Sequence, residues 1–162
     1  MGYEKNKRDM KKIEHVKDAN GQNYLAIKID TMEVLPFLDE LRSILGKEDC
    51  DLYTSNQEAR DKGEHHITVI SVMDYGRLTK AMGMDKFVEA LQPILEYEID
   101  DLQMLGVGKA EAKGNTAYFV VCDSDKLHAV RTRFELPKQD FHITLGFDKK
   151  DVFGVPKNEI IK

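Results

Sequence analysis

Two short stretches hold the residues of this chain best suited to chemistry, His66-Ile67-Thr68 and His142-Ile143-Thr144. They lie 76 positions apart in a chain of 162 residues. Each places an imidazole two residues before a hydroxyl, with aliphatic residues between and beside them. Side chains of a β-strand alternate faces. On one strand, His66 and Thr68 therefore share a face opposite Ile67 and Val69. On the second, His142, Thr144 and Gly146 share a face opposite Phe141, Ile143, Leu145 and Phe147. Random placement of the histidines and threonines predicts roughly 0.2 occurrences of His-x-Thr, so a matched pair is not a chance feature.

Imidazole titrates near neutrality, so one histidine can take a proton while another gives one. Opening a phosphodiester with water needs a base for the water and an acid for the leaving alkoxide. A threonine hydroxyl on each strand can donate to a non-bridging phosphate oxygen where charge develops. Neither motif has adjacent carboxylates of the kind that hold magnesium or manganese, so the scheme calls for no metal and no cofactor.

The elements needed to position the motifs are legible around them. Tyr24–Ile29 alternates as a strand, with Leu25, Ile27 and Ile29 facing the core. Val34, Leu35, Phe37, Leu38, Leu41, Ile44 and Leu45 follow at helical spacing. Asp30 or Thr31 can cap that helix and Gly46 can end it. Residues 47–63 are polar and read as a loop, with a short strand at 51–54. The first histidine strand is expected to run to Val72 or Met73, with a turn at Asp74-Tyr75-Gly76. A helix around Phe87, Val88, Leu91, Ile94 and Leu95 follows, shortened or kinked by Pro93. The second half repeats the order. Residues 101–109 and 116–122 read as strands, Ser124 caps a helix carrying Leu127, Val130 and Phe134, and a bend at Pro137 leads to the second histidine strand. Residues 1–21 are expected to form a charged, solvated or frayed helical leader, 22–147 a two-lobed core, and 148–162 an irregular lysine-rich segment, all within one domain.

The paired His-x-Thr motifs resemble those of the 2H phosphoesterase superfamily, which includes RNA 2′,3′-cyclic phosphodiesterases and 2′,5′-phosphodiesterases. The resemblance covers roughly Tyr24 to Phe147. It implies an α+β fold of two pseudo-symmetric lobes of antiparallel sheet, with outer helices, around a central cleft. It implies His66 and His142 as the catalytic acid–base pair and Thr68 and Thr144 as phosphate contacts. By the same analogy His142 activates water and His66 protonates the leaving oxygen, although the sequence is symmetric on that point. Tyr24, Lys28 and Lys149 are further candidates for substrate contact. His65 points to the opposite face and is not expected to act. His15 and His128 read as surface or structural residues.

Composition narrows the partners. A net charge of −5 is unlike the basic field of a protein gripping long nucleic acid. A nucleotide, an oligonucleotide or an RNA terminus is the expected substrate. A hydrophobic content of 41% without a long apolar run reads as an ordinary soluble globular protein with no membrane segment, and a monomer is expected. The charged N-terminus lacks a signal-peptide pattern, and Cys50 and Cys122 have no metal or redox spacing, so a cytoplasmic location is expected. Two rival readings exist. His65-His66-Ile67-Thr68-Val69 with Asp74 also resembles the opening strand of vicinal-oxygen-chelate metalloenzymes such as glyoxalases, which leaves the second motif unexplained. A nucleotide-binding module without catalysis would not need two titrating groups.

Overall fold

A computed structural model describes residues 11–161. The described residues form eight strands and five helices, an α+β architecture. Two compact units share them. The first takes the chain up to Lys28, Thr68–Leu102 and Ser124–Gln139; the second takes Ile29–Ile67, Gln103–Asp123 and Asp140–Lys162.

In the first unit, β1 (Lys11–Lys12) pairs with β5 (Glu98–Ile99), and β2 (Glu14–Lys17) pairs antiparallel with β3 (Asn23–Ile29). The predicted helical leader is therefore strand over its described part, and residues 1–10 lie outside the described residues. Ile13 explains the difference, because it is buried between the two short strands. His15 is exposed but not idle, since its Nε2 lies 2.9 Å from the Tyr75 hydroxyl. The strand β4 (His65–Ile70) begins in the second unit and ends in the first, where Thr68–Ile70 lies beside β3.

The chain leaves β4 sooner than expected. Ser71 accepts a hydrogen bond from the amide of Asp74 and starts α3 (Val72–Met82), so the predicted turn at residues 74–76 is helix. Next come α4 (Met84–Leu95) and, after the capping Ser124, α5 (Asp125–Arg133). Phe87 is fully buried, its ring 4.9 Å from that of Tyr75 and 5.6 Å from that of Phe134. Arg131 is also buried. Its guanidinium donates to the carbonyls of Val69 and Pro137, and lies 3.4 Å from Asp74.

The second unit contains α1 (Thr31–Leu45), α2 (Lys47–Asp61), β6 (Gln103–Ala112), β7 (Asn115–Asp123) and β8 (His142–Phe147). The start of β4, then β8, β7 and β6 lie side by side, each antiparallel to the next. Asp30 caps α1 as expected, its carboxylate accepting from the amide of Met32. The segment 47–63 is not a loop with a strand but mostly the helix α2. Its half-buried and buried positions Cys50, Tyr53 and Gln57 recur at helical spacing. They are polar or amphipathic, so the apolar periodicity that marks a helix is missing. The helix packs closely on β8: a Cβ on Gly146 would meet the backbone of Tyr53 at 2.6 Å.

A bulge in β8 changes which residues share its faces. Phe119 pairs with Thr144, but Tyr118 pairs with Gly146 and Ala117 with Phe147, leaving Leu145 as the extra residue. An inserted residue of this kind resets the alternation beyond it. Gly146 therefore lies on the side of Tyr118, toward α2, and Phe147 joins the side of Thr144 and His142. This reverses the expected facing of both residues. Phe147 packs there with Ala110, Ala117, Phe119, Val121 and Val152.

Val152 belongs to the C-terminal segment, which has no helix or strand beyond one bridge at Ile160 yet packs into the second unit. Asp151 and Lys157 are buried, Ile160 bridges to Gly108 of β6, and the amide of Ile161 donates to the Val107 carbonyl at 2.8 Å. Gly108 makes this possible. A Cβ there would lie 2.5 Å from the Phe119 ring and 2.6 Å from the Glu159 carbonyl oxygen.

Candidate active site

The second unit brings both histidines and one threonine together. Ile67 pairs with Ile143 across β4 and β8, so by antiparallel register His66 lies opposite Thr144. Ile67 and Ile143 are fully buried, which fixes the register, because a one-residue slip of either strand would turn its isoleucine out of the core. His142 shares its face with Thr144, and the two imidazoles are close enough for His66 to depress the pKa of His142. Thr68 follows His66 on the same half-exposed face of β4 and is the first residue of that strand in the first unit. Its carbonyl accepts from Gln139 at 2.6 Å.

His142 has a defined tautomer. Its Nδ1 lies 3.0 Å from the Asp140 carbonyl oxygen, a group that can only accept, so Nδ1 carries the proton and Nε2 keeps its lone pair. The Phe119 ring stands edge-on to the imidazole at 5.7 Å. Burial first, and then the nearby Lys157 ammonium, lower its pKa to about 4. His66 is also lowered, chiefly by burial, and Asp61, Glu64 and Asp151 act in the opposite direction.

Three charged residues outside the motifs complete the cluster. Arg60, on the last turn of α2, lies 2.8 Å from Asp61 and 2.5 Å from Asp151, with its guanidinium over the Phe147 ring. Asp151 is 8% exposed and receives Arg60, Lys157 at 3.3 Å, and the Thr144 hydroxyl at 3.3 Å. Burial alone would raise its pKa, but Lys157 and Arg60 outweigh burial and hold the carboxyl below its usual range. Lys157 Nζ reaches within 3.4 Å of His142 Nε2. Sequence reasoning missed Arg60, Asp151 and Lys157, because two lie in a segment read as irregular and one in a segment read as a loop. No local motif marks them.

The remaining candidates fall elsewhere. Tyr24 and Lys28 lie on β3 in the first unit, Tyr24 half-buried and Lys28 exposed. Lys149 is exposed, and its amide closes a turn on the Asp148 carboxylate at 2.7 Å. The lysine drawn to His142 is Lys157 instead. His65 is buried on the other face of β4, its Nδ1 without a hydrogen-bond partner.

Among the described residues, no group of three or more His, Cys, Asp or Glu side chains is arranged to hold a metal ion. Asp151, the carboxylate beside both histidines, is already matched by two cations. That positive surrounding disfavours a divalent ion there.

The arrangement has a counterpart among known protein families. The model of the 2H phosphoesterase domain, in its Swiss Army Knife form, matches residues 23–153. The chain belongs to the 2H phosphoesterase family. The match spans both His-x-Thr motifs and most of both units, and it carries a phosphoesterase activity of the phosphodiesterase type. No curated protein and no solved structure matches the chain significantly. Within this 2H phosphoesterase, Asp151 falls inside the matched residues and Lys157 falls beyond them. Among the described residues, no helix is long and apolar enough to cross a membrane.

Proposed function

We propose that the chain is a metal-independent phosphodiesterase that hydrolyses a cyclic or 2′-linked phosphodiester of a nucleotide, oligonucleotide or RNA end. A 2′,3′-cyclic phosphate, a 2′,5′-linkage and a cyclic oligonucleotide all present the required bond. The observation that carries the reading is the tautomer of His142, which leaves Nε2 as an acceptor beside Thr144 and within electrostatic reach of His66. His142 Nε2 takes a proton from water as the oxygen attacks phosphorus. The bond from phosphorus to the leaving ribose oxygen breaks, and His66, entering protonated, gives its proton to that oxygen. Thr68 donates to one non-bridging oxygen, and Thr144, whose hydroxyl donates to Asp151 in the free protein, turns to another. Arrival of an anionic phosphodiester favours the protonated state of both imidazoles and so opposes the effect of burial.

The net charge of −5 supports a small or end-bound substrate over structured nucleic acid. Buried free thiols at Cys50 and Cys122 fit a reducing, cytoplasmic setting, and we take the enzyme to act there as a monomer.

A product assay across those three substrate types in the presence of EDTA tests the reading. Turnover of one type is expected, with His66→Ala and His142→Ala each abolishing it. Thr68→Ala and Thr144→Ala are expected to lower kcat by about 10- to 1,000-fold. Loss of turnover in chelator, or near-wild-type turnover in either histidine variant, overturns the reading. Tight nucleotide binding without turnover, unaffected by His66→Ala, identifies a binding module instead.

A further inference from the structure

Lys157 is an unusual residue to bury. It is 6% exposed, and an ammonium removed from water is costly unless paired. Its position is fixed from several sides. Its amide donates to the Asp140 carboxylate at 3.1 Å, its Nζ lies 3.3 Å from Asp151, and the rings of Phe119 and Phe153 flank it at 5.8 and 5.6 Å. The carboxylate that balances it is shared with Arg60. The ammonium also sits 3.4 Å from His142 Nε2, the lone pair required for proton abstraction.

We propose that Lys157 is a phosphate-binding cation of this site and exchanges partners on binding. Its ammonium leaves His142 Nε2 for a non-bridging oxygen of the substrate's phosphate, which frees Nε2 to take the proton from water. The proposal rests on the phosphodiesterase reading and adds a residue that lies beyond the family match.

The electrostatics of the site agree with this exchange. In the free protein, burial and the Lys157 charge keep His142 neutral, its pKa near 4, which makes it a weak base. A phosphate anion offsets the ammonium and strengthens the base when substrate is present. The other charged groups are placed to permit this. Asp151 in the C-terminal segment opposes Lys157, His66 on β4 adds to its effect, and Arg60 on α2 holds Asp151 from the other side. The Phe119 edge and the Asp140 carbonyl complete the surroundings without a titrating charge. An uncharged ester would leave Lys157 on His142, so the same device selects for anionic phosphodiesters.

The test reads the imidazole directly. In the full chain, the His142 ring nitrogens are titrated by NMR with and without saturating inorganic phosphate. Phosphate is expected to raise the His142 pKa by about one unit or more in the wild type. In Lys157→Gln the pKa is expected to start higher and to respond less to phosphate. With a substrate found by the product assay, kcat/KM is expected to fall by about 100-fold in Lys157→Gln and to recover in part in Lys157→Arg. A wild-type His142 titration unmoved by phosphate overturns the proposal, as does the same phosphate response in Lys157→Gln. If Lys157→Gln does not fold, the same comparison is made with Lys157→Met, which keeps the length of the side chain without its charge. This titration needs no turnover, so failure of the phosphodiesterase reading is distinguished from failure of the exchange.

Discussion

The Arg60 guanidinium and the Asp151 carboxylate are joined at 2.5 Å across 91 positions of sequence. The pair ties the end of α2 to the C-terminal segment, and Lys157 and the Thr144 hydroxyl share the same carboxylate. One acidic group thus holds two cations and one hydroxyl beside the histidines.

Removing that acid strands buried positive charge. Asp151→Ala is expected to destabilise the protein by about 3–5 kcal/mol, because Lys157 keeps its burial without its counter-charge. The carboxyl of Asp151 is held below its usual pKa in the fold. Its contribution is therefore present above the unfolded carboxylate pKa of about 3.9 and is lost as pH falls through the folded value. Urea denaturation of wild type and Asp151→Asn at several pH values should show the difference narrowing toward strongly acidic pH.

His142 gives a pH dependence in another window. Its folded pKa is about 4 against an ordinary 6.5 for histidine, so the unfolded chain binds the extra proton between them. Stability falls as pH drops through that range, by about 3 kcal/mol from this residue, and levels off for it below the folded value. His142→Gln removes the titrating group. Its stability at pH 5 relative to pH 7.5 is expected to drop less than that of the wild type in chemical denaturation. An equal drop in both proteins would show that other groups set the slope.

Gly108 tests the path of the C-terminal segment. A Cβ there meets both the Phe119 ring and the Glu159 backbone, and the backbone contact cannot be relieved by a rotamer change. Gly108→Val is expected to cost about 1–3 kcal/mol and to lower turnover, because Phe119 flanks both His142 and Lys157. Hydrogen exchange should show faster exchange at the Ile161 amide, which is bonded to Val107. Wild-type exchange there would argue against the packing.

The two histidine strands were legible because burial and spacing agree in them. Ile67, Val69 and Ile143 are fully buried, while His66, Thr68 and His142 are only partly covered. Capping at Asp30 and Ser124 was legible for a similarly local reason, since a side chain bonds to an amide two or three residues ahead. The helix α2 was not legible. Its inward side is made of Cys50, Tyr53 and Gln57, and Gln57 is satisfied by the Glu64 carbonyl at 2.7 Å rather than by apolar contact.

By itself the sequence determined the chemistry on offer: two imidazoles and two hydroxyls on alternating strands, and the family to which that pattern belongs. Tertiary structure decided what surrounds them. The bulge at Leu145 turns Phe147 toward His142 and Gly146 toward α2, against simple alternation. Lys157, Asp151 and Arg60 come from segments with no periodic signal, and each is placed by partners distant in sequence. Strand alternation and caps are local, so a few neighbouring residues encode them. A buried charge cluster is held by pairing across the fold, and that pairing exists only once the chain has folded.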